Sequence, residues 1–267
     1  MKSPLPKKVS EFSDYSFRYY TTQKTLKNVL SREGAYFFVS NYSVMNDQDE
    51  AKLHENEKDR IHSLCFSNTD NESIPMWYLY SGLLGKGACL RFTPSLMMDF
   101  IKTIDIIHPV REDYSVNTDI ELKNGIDFEI KFGWVFYFDK GQDLFYRNKW
   151  YRIEDSIDAF FSQNYFLKKY PWYYEREFRI VIINKSDSIH NKFAVPIKDN
   201  IISSKNLSII LAPESQETDE TFWLERGFNT KKSDMNISMS LLARNREEIY
   251  SYISDAIDCY SKSVSKF

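Results

Sequence analysis

The sequence predicts an α+β protein built as one domain. Short apolar and aromatic runs, typical of strands, alternate irregularly with a few segments of helical periodicity. The 267 residues suit one large domain or two small ones, and 42% of them are hydrophobic, enough for a core. We see no internal repeat and no low-complexity linker, so we assign 1–10 to a flexible N-terminal arm and 11–267 to a single α+β domain.

The first elements follow from aromatic runs and from residues that start or end helices. Residues 16–20 (SFRYY) predict a short aromatic strand. A helix follows, with Thr21 or Thr22 able to cap it and Gly34 placed to end it. The apolar run at 35–39 predicts a buried strand, and a polar loop follows it.

The rest of the chain alternates predicted strands with four helices and one long excursion. A short helix near Pro75, a glycine turn and a strand occupy 75–92. Further strands are predicted at 61–66, 104–110, 178–183, 193–197, 207–211 and 237–241, and helices at 94–102, 153–169 and 247–260. The acidic, polar stretch at 111–131 predicts an excursion from the fold.

Composition and charge exclude several classes of partner. The net charge is −3, so the chain has no global basic charge for nucleic acid, although Lys168, Lys169, Arg176 and Arg179 form a local basic group that leaves such binding open. Three cysteines without CxxC spacing fit a reducing compartment. The chain shows no signal-peptide core and no apolar run of the ~20 residues that a membrane span requires. We therefore expect a cytoplasmic protein with no membrane partner.

Motifs for common metal and nucleotide chemistry are missing. The four histidines lack HExxH spacing, so we expect no metal site. There is no Walker A motif, and Gly82, Gly85 and Gly87 run in the wrong order for a dinucleotide fingerprint.

Two acid–lysine pairs leave a metal-dependent nuclease as an alternative function. Nucleases of the restriction type need acids and a lysine around Mg²⁺. The pairs are Glu121 with Lys123 and Glu129 with Lys131, with Asp113 and Asp119 upstream. A solvated charged loop explains the same residues.

The strongest local signal is an alternation of charges that enters an apolar strand, FRIVII. In an extended strand Glu175, Glu177 and Arg179 share one face. Two carboxylates on one face repel each other unless a cation, a ligand or a proton relieves them. The pattern predicts either a surface ion-pair ladder on an edge strand or a functional site.

The order of elements resembles that of the ADP-ribosyltransferase superfamily. An arginine on the first strand, a helix ending in Gly, a strand ending in Ser and a late Glu-x-Glu strand carry the resemblance. It implies that Arg18 binds the pyrophosphate or ribose of NAD, and that Ser40 or Ser67 orients the nicotinamide ribose. It also implies that Glu177 stabilises the oxocarbenium-like transition state and that Glu175 activates the acceptor.

Aromatic residues near the second strand complete the implied NAD site. The resemblance implies a ring stacked on the nicotinamide, for which Tyr78 and Tyr80 are the candidates. Trp77 lies three residues before Tyr80 on the same helical face and either lines the pocket or packs in the core. Arg179 is the remaining candidate binding residue.

Nearly the whole chain resembles a bacterial family, the domain-of-unknown-function family 2971. Its motifs are an Asn-Asp-x-x-Glu loop, a Cys-Phe-Ser strand, a Met-Trp-x-x-Tyr helix leading to Lys-Gly, and a Trp-x-Tyr-Glu-x-Glu-x-Arg strand. The matching residues are Asn46, Asp47, Glu50, Met76, Trp77, Tyr80, Lys86, Gly87, Trp172, Tyr174, Glu175, Glu177 and Arg179. This resemblance implies a role in bacterial defence.

Besides the nuclease alternative, the sequence favours two classes of function. The first is an NAD-dependent ADP-ribosyltransferase-like enzyme, or an NAD glycohydrolase, of a bacterial defence or toxin type that uses NAD as substrate and a macromolecule or water as acceptor. The alternative is a non-catalytic defence module that binds NAD, another nucleotide or a protein through the same pocket.

Overall fold

The computed structural model describes residues 16–31, 34–44, 54–69, 71–81, 86–138, 143–146, 149–152 and 165–235. It shows an α+β fold with a 12-stranded mixed sheet, a second sheet of four strands, and few helices. The α+β prediction is confirmed. The predicted arm at 1–10, the strand at 237–241 and the helix at 247–260 lie outside the described residues.

Strands are the commonest regular element of the described chain. They are β1 (Phe17–Thr22), β2 (Leu30–Ser31), β3 (Gly34–Asn41), β4 (Ile61–Asn68), β5 (Gly87–Phe92), β6 (Ile106–Pro109), β7 (Leu122–Lys123), β8 (Phe128–Trp134), β9 (Phe136–Phe138), β10 (Asp143–Tyr146), β11 (Lys149–Arg152), β12 (Leu167–Lys169), β13 (Glu177–Asn184), β14 (Lys192–Pro196), β15 (Leu207–Leu211) and β16 (Asn229–Lys232). The strands β9 to β12 form the smaller sheet.

The helices are short. They are α1 (Gln23–Val29), α2 (Ile74–Tyr80), α3 (Pro94–Lys102), α4 (Asp199–Ile202) and α5 (Glu217–Leu224), with 3-10 turns at Tyr42–Val44 and Tyr170–Glu175. Within the described ranges, no helix has the length and apolar character needed to cross a membrane.

The large sheet divides into two branches at β4. One edge of β4 pairs antiparallel with β13 from Ile61 to Ser67. The other edge is shared, because β1 pairs with its end at Ser67 and Asn68, whereas β3 pairs with its beginning at His62 and Ser63. One branch continues through β1, β5, β15 and β16, and the other through β3, β14, β6 and β7. As a result, at one end of β4 the strand β1 pairs with one edge and β13 pairs with the other.

The main core lies on one face of this sheet under α1, α3 and α5. It is rich in phenylalanine, which explains much of the 16% aromatic content. The rings of Phe37, Phe66 and Phe92 meet edge-to-face or tilted, with centroids 5.7 to 6.2 Å apart. Such contacts add stability beyond the burial of apolar area.

The opposite face carries two smaller apolar clusters with polar residues between them. In one cluster Met76 and Trp77 of α2 cover Tyr20 and Cys89. In the other, Tyr42, Ile61, Phe166 and Val181 pack together. Side chains alternate between the faces of a strand, so odd-numbered residues of β4 and β13 and even-numbered residues of β1 point to this second face.

The predicted helix at 94–102 and the strand at 207–211 are confirmed residue for residue, whereas three other predictions were wrong. Helix α1 ends at Val29, and Gly34 opens β3 instead of ending the helix. Gly34 has φ +143, and a Cβ there would lie 2.6 Å from the Tyr36 ring, so glycine is needed for the strand entry.

The other two errors concern long segments of mixed composition. Residues 167–169, predicted as the end of a helix over 153–169, form β12 in the smaller sheet. The remainder of that predicted helix, up to residue 164, lies outside the described residues. The predicted excursion at 111–131 ends early, because β8 begins at Phe128 and pairs with β13.

We expect the substitution Thr22→Ala to lower the free energy of unfolding by about 1 kcal/mol. The Thr22 hydroxyl accepts a hydrogen bond from the backbone N–H of Thr25 at 3.1 Å and so caps α1. Alanine leaves that N–H without this partner. Chemical denaturation measures the loss, and Thr22→Ser, which keeps the hydroxyl, should retain most of the stability.

Candidate functional site

The Glu-x-Glu motif does not form the extended strand that its pattern predicts. A 3-10 turn ends at Glu175, Arg176 adopts a left-handed conformation with φ 43 and ψ 54, and β13 begins at Glu177. The prediction of a surface ion-pair ladder on an edge strand was wrong. Strand β13 lies between β4 and β8, and the side chains of Glu175 and Glu177 are only 4% and 3% exposed.

Strand register places the arginine, the serine and the glutamate of the ADP-ribosyltransferase pattern side by side. Arg18 of β1 lies directly opposite Ser67 of β4, and Ser67 lies directly opposite Glu177 of β13. Directly opposite residues of antiparallel strands project from the same face. With neighbouring strands about 4.8 Å apart, the Cα atoms of Arg18 and Glu177 are about 10 Å apart.

The same line of residues continues across the other branch of the sheet. Arg91 of β5 lies opposite Arg18, and Ser208 of β15 lies opposite Arg91. We call Ser208, Arg91, Arg18, Ser67 and Glu177 the polar row. It crosses five adjacent strands near one end of each.

Register also separates the two candidate serines. Ser40 lies opposite Ser63, four residues before Ser67 along β4, and so it is outside the polar row. The Ser67 hydroxyl is buried and has no hydrogen-bond partner among the described residues. A buried hydroxyl without a partner is costly, so Ser67 is the better of the two serine candidates.

The glutamates belong to a buried group of four charged side chains, which we call the charged cluster: Lys168, Glu175, Glu177 and Arg179. Lys168 Nζ lies 2.7 Å from Glu175 Oε2 and 3.4 Å from Glu177 Oε2. Arg179 Nε lies 2.6 Å from Glu177 Oε1. Two acids and two bases balance one another, as burial requires.

Neighbouring polar groups hold the cluster in place. Arg179 Nη1 donates to the Tyr42 hydroxyl at 2.8 Å and to the Tyr165 carbonyl at 3.0 Å. The backbone N–H of Glu177 donates to the Tyr137 hydroxyl at 2.8 Å. The Tyr80 hydroxyl donates to Glu175 Oε1. The carboxylates are therefore fixed from the large sheet, α2 and the smaller sheet together.

The two glutamates differ in acidity although they are two residues apart. Burial, and after it the negative charge of Glu177, raises the pKa of Glu175 to about 7. Burial acts in the same direction on Glu177, but Arg179 and Lys168 outweigh it and lower its pKa below the ordinary value. Glu175 can therefore exchange a proton near neutral pH while Glu177 stays ionised, which is how paired carboxylates divide acid and base roles.

This division predicts a pH dependence of stability. Because the pKa of Glu175 is raised on folding, from 4.5 to about 7, the folded state binds more protons between these values. Its contribution to stability is present below pH 4.5 and is lost as the pH rises through 7, with a slope that approaches about 1.4 kcal/mol per pH unit. Urea denaturation at pH 5, 6 and 7 measures the slope.

The variant Glu175→Gln provides the comparison for this slope. Burial lowers the pKa of His54 and of His62, so these side chains give the opposite slope in both proteins. The free energy of unfolding of the wild type minus that of Glu175→Gln should therefore fall from pH 5 to pH 7. A constant difference would show that Glu175 does not titrate in this range.

The three aromatic candidates for the NAD site, Trp77, Tyr78 and Tyr80, have different surroundings. Trp77 is fully buried, meets the Tyr20 ring edge-on at 4.9 Å and donates from Nε1 to Glu72 Oε2 at 3.0 Å. Trp77 therefore packs in the core, which is one of the two placements that its position on the helix left open. Tyr78 is half-buried, and Tyr80, 38% exposed, is tied to the charged cluster through its hydroxyl.

Sequence analysis missed three members of these groups, Lys168, Arg91 and Ser208. The sequence indicates Lys168 only as part of a local basic group, because it predicts a helix there. In the structure Lys168 lies on strand β12, and this strand brings it to the glutamates. Arg91 was not singled out, although an arginine inside the apolar run GACLRF is itself a signal.

The residues proposed for a nuclease form surface pairs. Asp119 pairs with Arg111 at 3.1 Å, and Glu129 pairs with Lys185 at 2.9 Å. Asp113 accepts from the Ser115 hydroxyl at 2.6 Å. In the part of the chain that the structure describes, no three His, Cys, Asp or Glu side chains are close enough to hold a metal ion together.

Comparison with known proteins gave no relative. No protein-family model, no curated protein and no solved structure matches this chain. The function must therefore be inferred from the polar row and the charged cluster themselves.

Proposed function

We propose that this protein is an ADP-ribosyltransferase-like enzyme that consumes NAD, by transfer to a macromolecular acceptor or by hydrolysis. The observation that carries the proposal is the alignment of Arg18, Ser67 and Glu177 on three adjacent strands. They are far apart in sequence, and register alone brings a guanidinium, a hydroxyl and a carboxylate to one face. These groups suit a phosphate, a ribose and a developing positive charge respectively.

Each residue has a role that matches its surroundings. Arg18 binds the diphosphate or the adjoining ribose of NAD, and the Ser67 hydroxyl meets the nicotinamide ribose. As the C1′–N bond breaks, nicotinamide leaves with the bonding electrons and positive charge develops at C1′. Glu177, whose lowered pKa keeps it ionised, stabilises that charge.

Glu175 is placed to handle the proton of the acceptor. A water or hydroxyl oxygen attacks C1′, and its proton must leave as the new C–O bond forms. A carboxylate with a pKa of about 7 accepts a proton efficiently near neutral pH. Lys168, bonded to both glutamates, keeps the two carboxylates together despite their like charge.

For this chemistry one contact of Glu177 within the charged cluster must break, so that a carboxylate oxygen can meet the substrate. Glu177 Oε1 is held by Arg179 at 2.6 Å, whereas Oε2 is only 3.4 Å from Lys168. The longer contact is the weaker one. We assign Oε2 as the atom that meets the ribose hydroxyl, with Arg179 acting as the anchor of the carboxylate.

We further propose membership of the bacterial family 2971, with a role in defence. Motif residues from different parts of the chain meet in the structure, which supports this grouping. Tyr80 of the Met-Trp-x-x-Tyr helix bonds Glu175 of the last motif, and Arg179 bonds Glu177 within that motif. Core packing alone does not require polar residues at these places.

The alternative is a binding module that holds a nucleotide or a protein without turnover. Its support is the burial of Glu177, 3% exposed and already paired with two cations. A carboxylate in that condition is also what a purely structural ion-pair network requires.

Release of nicotinamide from NAD distinguishes the two candidates. Purified protein is incubated with NAD, with and without a bacterial lysate as a source of acceptors, and nicotinamide is measured by chromatography. We expect release above the rate of a protein-free control, and faster release with lysate if a macromolecule is the acceptor. NAD that is bound but not consumed in either condition would contradict the enzyme proposal and favour the binding module.

A further inference from the structure

Two arginines lie next to each other in the polar row. Arg91 of β5 is directly opposite Arg18 of β1, and both side chains project from the same face of the sheet. Like charges directly opposite each other destabilise a pair of strands. An anion bound between them would relieve this repulsion.

Arg91 has guanidinium N–H donors that are available to such an anion. Its side chain is half-buried, and its Nε donates to the Ser16 hydroxyl at 3.1 Å. Among the described residues no carboxylate forms an ion pair with it. A guanidinium carries five N–H donors in a planar fork that matches a phosphate group. Arg18, which donates to the Thr69 hydroxyl at 3.2 Å, supplies the second guanidinium.

The arginine pair is flanked by groups that suit the remainder of a nucleotide. Ser67 adjoins Arg18 in the row and has a buried hydroxyl without a hydrogen-bond partner among the described residues. Glu177 follows, an acceptor of the kind that sugar hydroxyls need. The row thus presents two cations, a hydroxyl and a carboxylate in that order.

The row also lies near the ends of its strands. Arg18 is the second residue of β1, Arg91 is the last but one of β5, and Ser67 is the last but one of β4. These positions form one of the outer rungs of the sheet, next to the loops that leave it. Functional groups are commonly placed at such strand ends.

We propose that Arg91 and Arg18 together bind the diphosphate group of a nucleotide whose sugar hydroxyls face Glu177. The inference rests on the proposed function, because it uses the same site, and it assigns to Arg91 a ligand-binding role. Arg91 forms a two-pronged contact with one phosphate while Arg18 contacts the other.

Calorimetric titration with ADP and with adenosine tests the assignment. Wild-type protein should bind ADP more tightly than adenosine. Arg91→Gln should weaken ADP binding about tenfold or more, as expected for a lost charge-assisted contact, and leave adenosine binding unchanged. Arg91→Lys should fall between them, because an ammonium is a point charge without the fork. Arg111→Gln, at an exposed arginine in the loop after β6, is the matched control and should bind ADP as the wild type does.

Two results would overturn the assignment. One is equal ADP affinity in Arg91→Gln and wild type when both have the same thermal unfolding temperature. The other is a wild-type protein that binds ADP no better than adenosine, or does not bind it at millimolar concentration. Nicotinamide release is measured on the same samples. ADP binding through Arg91 without release would refute only the enzyme proposal, whereas release with an unchanged KM for NAD in Arg91→Gln would refute only the role of Arg91.

Discussion

Replacing Arg179 by methionine is expected to lower the free energy of unfolding by about 3–5 kcal/mol. Arg179 is fully buried and lies 2.6 Å from Glu177, and methionine is an unbranched, somewhat shorter side chain without charge. The change leaves Lys168, at 3.4 Å, as the remaining cation of the charged cluster that contacts the buried Glu177 carboxylate. It also removes the donor to the Tyr42 hydroxyl. Chemical denaturation at pH 7 measures the loss.

The matched control is Arg111→Met. Arg111 also pairs with an acid, Asp119 at 3.1 Å, but its side chain is 51% exposed. Exposed pairs contribute about 0–1 kcal/mol, since water solvates both charges when the pair is broken. Similar losses in the two variants would show that the charged cluster is solvated in solution and would remove the basis for the acidity that we assign to its glutamates.

Glu177→Gln is expected to reduce the rate of nicotinamide release by about 10²–10³-fold, the usual effect of removing one group that stabilises transition-state charge. Glutamine keeps the shape of the side chain but cannot oppose the positive charge at C1′. The effect should fall on kcat more than on KM, because the charge develops only in the transition state.

Two comparisons make this result specific to catalysis. Glu112→Gln, at an exposed glutamate in the loop after β6, removes one acid elsewhere and should keep the wild-type rate. Denaturation of Glu177→Gln shows how much of the protein is folded under assay conditions, and the rate is corrected for that fraction. A corrected rate within about threefold of wild type would be far smaller than the loss expected for a catalytic carboxylate.

The parts of the fold that the sequence predicts well have strong local signals. Helix α3 begins at Pro94 after the cap Thr93, so its start is marked in the sequence. The strands β13 and β15 are apolar runs bounded by polar residues. In these places local preference and burial agree, and the predicted bounds match the structure closely.

Only some residues of the candidate site, and not its geometry, could be predicted from the sequence. Arg18, Ser67 and Glu177 stand out because polar residues interrupt strand-like runs. Their alignment depends on register between strands that are distant in sequence, which no local pattern contains. Lys168 joins the glutamates only because β12 pairs with β9 in a second sheet, a tertiary contact that overrides the helical periodicity of its segment.

A structure of the protein with ADP-ribose bound tests the central claim most directly, because that claim is that the polar row is one ligand site. We predict the diphosphate against Arg18 and Arg91, and a ribose hydroxyl within hydrogen-bond distance of Glu177 Oε2, with Arg179 still bonded to Oε1. Ligand bound elsewhere, with the contacts of Glu177 to Lys168 and Arg179 unchanged, would contradict the account and leave the charged cluster as a structural element of the fold.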